Sequence, residues 1–282
     1  VKIIRTAAEW NPLWLKHLQN NEEIGLVPTM GALHQGHLDL VKTSLQKTDA
    51  TLVSIFVNPT QFNNQEDFQK YPSTLDADLE KLERAGVDYV FVPTVETMYP
   101  SLPTIRMDFG DLERVLEGEF RPGHFNGVGI VVSKLFHLVR PHLAFFGQKD
   151  LQQVAVIKRL VKDLAFPVDL QIVATKREAD GLAMSSRNLR LTNQERADAL
   201  VLIRSLERAK TELLSGKKWL EVLQVIEEDF SKISSTRLEY FALVNPDSFE
   251  KQETYLPEEK SSICVAAYIG DVRLIDNLSI IP

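Results

Sequence analysis

Ile24-Gly25-Leu26-Val27-Pro28-Thr29-Met30-Gly31-Ala32-Leu33-His34-Gln35-Gly36-His37 begins as an apolar strand, turns at Gly31 and enters a helix. Leu38, Val41 and Leu45 carry the helical period onward on one face. The same alternation continues in both directions. Residues 1–5 read as a short strand, and residues 51–57 form a nearly unbroken apolar run, as in a strand covered on both faces. Asn58-Pro59 stops that run, and a polar loop is expected over 61–71. A helix over about 74–85 ends at Gly86, and residues 88–92 supply the next strand. Val128, Val131, Val132, Leu135 and Val139 mark a further helix stopped by Pro141, and residues 143–146 a short strand. Leu151, Val154, Ile157 and Val161 line another helix before a strand at 168–173. Strands alternating with helices imply right-handed crossovers and a parallel, Rossmann-like α/β sheet with helices on both faces.

After about residue 175 the pattern changes. Thr192 and Glu195 form a capping box that opens one long helix through Ala199, Ile203, Leu206 and Leu213 to Gly216. Trp219, Leu223, Ile226 and Phe230 mark a second helix, and strand-like runs follow at 237–244, 262–269 and 272–281. The expectation is a domain over 1–175 and a smaller α+β domain with an antiparallel sheet over 176–282.

Composition limits the function. The chain has 282 residues, 44% hydrophobic and 25% charged, with 14 Phe, 6 Tyr and 3 Trp, which excludes large-scale disorder. No apolar run approaches the roughly 18 residues of a membrane span, so no membrane partner is expected. The formal charge of -7 argues against a broad nucleic-acid footprint and leaves room for a local anion pocket. Residues 1–5 lack the features of a secretory signal. Cys264, the one cysteine, cannot form an internal disulfide, which points to a reducing, cytoplasmic compartment. In its strand-like run it reads as a small core residue rather than a nucleophile.

Four motifs carry chemistry. In 28–37, Gly31 and Gly36 admit close backbone approach, and amides at a helix start favour an anion. His34 and His37 share one side of the first turn and can donate to phosphate oxygens. They also read as structural turn residues or, more weakly, as a zinc pair lacking a third ligand. In 180–188, Ser185, Ser186 and Arg187 form a set of donors behind the hinge-like Gly181, suited to polyphosphate or simply a solvated loop. In 146–153, Lys149 can neutralise a phosphate, Asp150 can accept from ribose or cap the helix, and Gln153 lies one turn in. In 56–62, Gln61 suits a polar organic substrate. Glu66, Asp67, Asp76 and Asp78 lie beyond it, and a carboxylate there could help hold Mg²⁺, although each reads better as a surface charge. Residues 121–125, Arg-Pro-Gly-His-Phe, either only turn the chain or close over the site. The residues assign no metal ligand.

Together, PTMGALHQGH at 28–37, IFVNPTQF at 55–62, EDFQKYP at 66–72, RPGHF at 121–125, FGQKDLQQ at 146–153, DGLAMSSRN at 180–188 and LIDN at 274–277 closely resemble the pantothenate synthetase (pantoate–β-alanine ligase) family. A more distant likeness is to nucleotidylyltransferases and class I aminoacyl-tRNA synthetases. The resemblance implies that pantoate attacks the α-phosphorus of MgATP to give pantoyl adenylate and pyrophosphate. The β-alanine amine then displaces AMP to give pantothenate. It implies that Met30, Gly31, Ala32, Leu33, His34, Gln35, Gly36 and His37 contact ATP, with His34 and His37 on its phosphates and His37 as proton donor. Gly147, Gln148, Lys149 and Asp150 would hold ribose and phosphate. Lys176 and Met184 would flank the nucleotide, and Ser185, Ser186 and Arg187 the phosphates. Gln61 and Gln153 would bind pantoate, with Gln61 also near β-alanine, and Pro28, Met30, Val131 and Val132 would wall an apolar pocket. The second domain would act as a lid, and the family's homodimer would form through the first. Gln148, His142, Ser73 and Lys176 depart from residues frequent in the family. A nucleotidylyltransferase of the same superfold leaves the paired glutamines unexplained. A non-catalytic nucleotide-binding regulator is the other alternative.

Overall fold

The structure, a computed structural model, describes residues 1–63 and 65–280. Its first sheet contains β1 (Lys2–Ile4), β2 (Ile24–Thr29), β3 (Ala50–Ile55), β4 (Tyr89–Phe91), β5 (Leu143–Gly147) and β6 (Asp169–Val173). Every neighbouring pair is parallel, in the order β1-β4-β3-β2-β5-β6. The apolar run expected at 51–57 is β3, buried at every position, although the strand ends at Ile55. Chain order reverses at β2, which pairs with β3 on one side and β5 on the other. The segments leaving the carboxyl ends of β2 and β5 therefore diverge, the arrangement that opens a ligand crevice in a doubly wound sheet.

By its internal packing the chain divides into two units, residues 1–148 with 156–174, and residues 149–155 with 175–282. In the first, Val27, Val53, Val90 and Phe145 from the strands pack with Leu33, Leu40, Val41 and Leu82. Each fully buried aliphatic side chain there contributes about 1.5–3 kcal/mol. The expected helix ending at Gly86 is Leu75–Ala85. The apolar period from Val128 is the helix His124–Val139, and that from Leu151 is Leu151–Asp163.

The second unit has an antiparallel sheet of β7 (Thr236–Val244), β8 (Ser261–Ile269) and β9 (Val272–Ile280). Leu202, Leu206, Leu213, Val222, Ile226 and Phe230 from the helices share one core with Ile263, Val265, Leu274 and Ile280. The strand expected over 272–281 ends at Ile280, and Ile281 lies outside the described residues.

Two expectations differ from the structure, and one helix was not anticipated. The long helix opened by Thr192 is two, Asn193–Asp198 and Leu200–Leu214. They part at Ala199, whose carbonyl takes a three-residue bond from Leu202 N, a local tightening of the coil. The polar stretch 61–71 is not all loop: a 3₁₀ turn covers Pro59–Gln61 and a helix covers Gln65–Gln69. A helix at Ala7–Gln19 has no counterpart in the apolar pattern because Pro12 interrupts it and Trp10 is its one fully buried residue. That Trp10 donates Nε1–H to the Val139 carbonyl at 2.9 Å.

Candidate active site

The turn after β2 is held from behind by an acid. Asp78 is buried, and its two carboxylate oxygens accept Leu33 N–H at 2.8 Å and Ala32 N–H at 2.7 Å. Thr74 Oγ1 donates to it at 3.0 Å, and Lys81 Nζ stands at 3.8 Å while also bonding the Leu33 carbonyl. Gly31 (φ 82°) and Ala32 (φ 50°) are both left-handed in this turn. Gly31 suits that conformation, whereas Ala32 is strained by about 1–2 kcal/mol. The weak suggestion that Asp78 could hold Mg²⁺ is thus corrected: its oxygens are committed to the turn. Asp76 is exposed, and Glu66 pairs with Lys70.

His34 caps the helix Gln35–Lys47. Its Nδ1 accepts Gly36 N–H at 3.1 Å, and His37 Nδ1 accepts His34 N–H at 3.3 Å. The rings lie 4.1 Å apart, centroid to centroid. Because both Nδ1 atoms accept main-chain protons, each neutral ring carries its own proton on Nε2. The structural and the ligand-binding readings of the pair are therefore compatible: Nδ1 caps, and Nε2 is a donor.

Gln61 is buried and gripped on three sides. Its Nε2 lies 2.9 Å from Met30 Sδ, and its Oε1 accepts from Asn58 Nδ2 at 3.2 Å. Its carbonyl meets His124 Nδ1 at 2.8 Å. His124 Nε2 in turn faces Arg121 Nη1 at 3.2 Å, and Arg121 pairs with Glu117. RPGHF therefore does more than turn the chain: it braces the Gln61 backbone. Three residues on from His124, Gly127 lets its helix approach, since a Cβ there would lie 2.2 Å from the Thr60 carbonyl oxygen.

Asn58, which no motif singles out as a site residue, anchors the turn before Gln61. Its Oδ1 accepts Thr60 N–H, the Thr60 hydroxyl and, at 2.8 Å, the Tyr99 hydroxyl, while its Nδ2 also reaches Gly127 O. Burial pushes the Tyr99 phenol above its ordinary range, so it stays a neutral donor. Asn before Pro at a turn start was the available signal. Pro28 is half-buried in β2, and Val131 and Val132 are buried in the helix His124–Val139. Gly147 ends β5 and Gln148 follows in a 3₁₀ turn, both half-buried.

In the second unit, Lys149 is 18% exposed and stands 3.8 Å from the Asp150 carboxylate. Gln153 is partly buried on the same helical run. Residues 176–184 double back on themselves: Met184 N–H bonds the Lys176 carbonyl at 2.9 Å, and Glu178 N–H bonds Leu182 O. Lys176 is exposed, so its main chain is what shapes this hairpin. The hairpin leads into Ser185, whose Oγ accepts Arg187 N–H at the start of the 3₁₀ helix Ser186–Arg190, with Ser186 buried. Arg196 bonds Asp180 and holds its carboxyl below the ordinary range.

The departure at His142 is structural. Its Nδ1 accepts Ile24 N–H at 3.0 Å at the start of β2, a task that a carboxylate performs equally well. Ser73 is exposed, and Gln148 remains in the turn after β5.

Residues 2–279 match the family described as pantoate-beta-alanine ligase. The chain is 48% identical over 262 residues to the pantothenate synthetase of Thermoanaerobacter sp., covering 92% of this chain and 91% of that one. It is 46% identical over 257 residues to that of Bacteroides fragilis, covering 91% of each. Among solved structures, pantothenate synthetase from Thermus thermophilus superposes with a TM-score of 0.91 at 41% identity and full coverage of both chains. Pantoate-beta-alanine ligase from Francisella tularensis, solved with beta-gamma ATP and beta-alanine, gives 0.78 at 34% identity, covering 99% and 97%. The chain belongs to the pantoate–β-alanine ligase family.

Proposed function

We propose that the chain condenses pantoate with β-alanine at the expense of ATP, in two steps. A pantoate carboxylate oxygen attacks the α-phosphorus of ATP, and the bond to pyrophosphate breaks. The β-alanine amine then attacks the acyl carbon of pantoyl adenylate, AMP leaves with the electron pair of the broken acyl–oxygen bond, and the amine sheds a proton. The observation that carries this reading is the turn after β2. Two adjacent imidazoles, each with Nδ1 turned to the main chain and Nε2 as its donor, stand together there at the sheet's switch point, an arrangement matched to a polyphosphate. Family membership favours this ligase over a nucleotidylyltransferase or a silent nucleotide binder.

His34 and His37 donate to ATP phosphates, with His37 placing a proton on the departing pyrophosphate. Met30, Gly31, Ala32, Leu33, Gln35 and Gly36 contact the nucleotide. Lys149, Ser185, Ser186 and Arg187 neutralise phosphates, Gly147, Gln148 and Asp150 meet ribose, and Lys176 and Met184 flank adenine. Gln61 and Gln153 bind pantoate, with Gln61 also meeting β-alanine, and Pro28, Met30, Val131 and Val132 receive its gem-dimethyl group. Residues 1–175 bind ATP and pantoate, and residues 176–282 are the lid domain. ATP enters as its Mg²⁺ complex, in which phosphates and waters supply most ligands. Among the described residues no group of three His, Cys, Asp or Glu is placed to hold a metal. The enzyme works in the cytoplasm, with neither nucleic acid nor membrane as partner, a reading supported by its net charge of -7 and its biosynthetic family. It acts as a homodimer through the first domain, a reading supported by exposed Leu102 and Ile105 in a segment with no helix or strand of its own.

Isotope exchange tests the chemistry. Labelled pyrophosphate should enter ATP when pantoate is present and β-alanine absent. Exchange that ignores pantoate, or none from folded protein that binds ATP, refutes the adenylate route.

A further inference from the structure

The closing run Leu274-Ile275-Asp276-Asn277 lies in β9, and both of its polar residues are buried. Alternate strand residues face opposite sides. Asp276 thus shares a face with Leu274 and Leu278, which pack in the helix-covered core. A carboxylate in such surroundings requires a partner. Arg177 supplies it in a fork: Nη1 to Asp276 Oδ2 at 2.6 Å and Nη2 to Oδ1 at 3.0 Å. The same guanidinium donates to the carbonyls of Gly181 and Asn277, each at 3.1 Å. Arg177 also pairs through its backbone with Ala183, so the fork fastens both arms of the hairpin that leads into Ser185–Arg187. From the opposite face of β9, Asn277 sends Nδ2 to the Lys149 carbonyl at 2.8 Å.

We propose that Asp276 and Asn277 are positioning residues for the adenylation step. Two adjacent residues at the middle of one strand fix two separate phosphate-binding segments, the Ser185–Arg187 stretch through Arg177 and the Lys149 backbone through Asn277. This rests on the reading that Lys149 and Ser185–Arg187 hold ATP phosphates. Neither Asp276 nor Asn277 touches substrate; each sets where a donor stands, and a displacement of about 1 Å at such a donor costs on the order of 100-fold in rate.

The test is Asn277→Asp, which keeps the side chain's size and turns an acceptor toward the Lys149 carbonyl. Pantoate-dependent pyrophosphate exchange should fall by about 10- to 100-fold, with a raised KM for ATP and an unchanged KM for pantoate. Release of pantothenate from supplied pantoyl adenylate and β-alanine should stay near the wild-type rate. In a Lys149→Ala background, Asn277→Asp should add almost nothing, because coupled residues are non-additive. Wild-type exchange in Asn277→Asp, equal losses in both half-reactions, or a fully multiplicative double variant overturns the inference. Asn277→Ala, which removes the donor without adding charge, is read in the same way if the aspartate variant does not fold. Wild-type exchange in Lys149→Ala alone would instead overturn the phosphate reading itself, and this inference with it.

Discussion

Replacing Asp78 by Asn tests whether the histidine turn is set by its own sequence or by the acid behind it. The two side chains have nearly the same shape, so no cavity forms. The carboxylate accepts two loop amides and a threonine hydroxyl. An amide has one oxygen, so one of these donors meets an NH₂ group instead. Losing a charge-assisted bond removes about 1.5–3 kcal/mol, and the stranded buried donor adds a penalty of about 1–3 kcal/mol. The expected destabilisation is about 3–5 kcal/mol, larger than the roughly 1–2 kcal/mol that holds Ala32 in its left-handed conformation. With one of the acid's three bonds lost, Ala32 should relax and carry His34 and His37 out of place. A shift of about 1 Å there lowers adenylation on the order of 100-fold. Urea unfolding followed by circular dichroism reads the first effect, and pantoate-dependent pyrophosphate exchange reads the second. Unfolding free energy within about 0.5 kcal/mol of wild type, the range of an ordinary surface substitution, together with unchanged exchange, would show that the turn needs no anchor.

Other consequences are local. Gln61→Ala should raise KM for pantoate at least about tenfold, the loss of roughly one hydrogen bond to substrate, with KM for ATP unaltered; initial-rate kinetics at varied pantoate check this. His142→Asp should leave thermal stability and exchange near wild type, because a carboxylate can still accept Ile24 N–H; a marked fall in the melting midpoint would contradict that equivalence. Glu195 is held below the ordinary carboxylate range by the backbone and hydroxyl of Thr192, and Asp180 by Arg196. A depressed folded-state pKa gives stability that is complete above the unfolded value and lost as pH falls through the folded one. Acid unfolding of Glu195→Gln should therefore show a shallower loss below about pH 4.5 than wild type, and an identical acid limb would remove the cap from the account.

Strand positions were legible because a doubly covered strand is apolar throughout. The runs at 24–29 and 51–55 are buried along nearly all their length. Ala7–Gln19 escaped because its contact with the core is mainly one tryptophan, and Pro12 lies where a helix is not expected. In the site, residue types that donate were visible as motifs. Residues that hold the donors in place were not, since Asp78 and its turn are separated by 45 positions in sequence. Spacing within a motif carries no trace of such a partner. By charge alone Asp78 reads as a surface acid or, more weakly, a metal candidate, whereas its geometry makes it an acceptor for main-chain amides. The same holds for His124, whose ring nitrogen meets the carbonyl of Gln61 across 63 positions.

The buried polar residues divide the labour in a way that suits an anionic substrate. Asp78 and Asp276 are acids close to segments proposed to meet a triphosphate, where an unneutralised carboxylate would repel the ligand. Each is instead consumed by donors: Asp78 by two amides, a hydroxyl and Lys81, and Asp276 by the fork of Arg177. Their charge is offset locally, and what remains is geometry. Asn58 does the same work without charge beside Gln61. Rate enhancement by an arrangement of this kind comes from placing reactants and donors, not from an enzyme nucleophile. Substitutions at these hidden anchors should therefore resemble substitutions at the donors they hold in their effect on rate, while differing in their effect on stability.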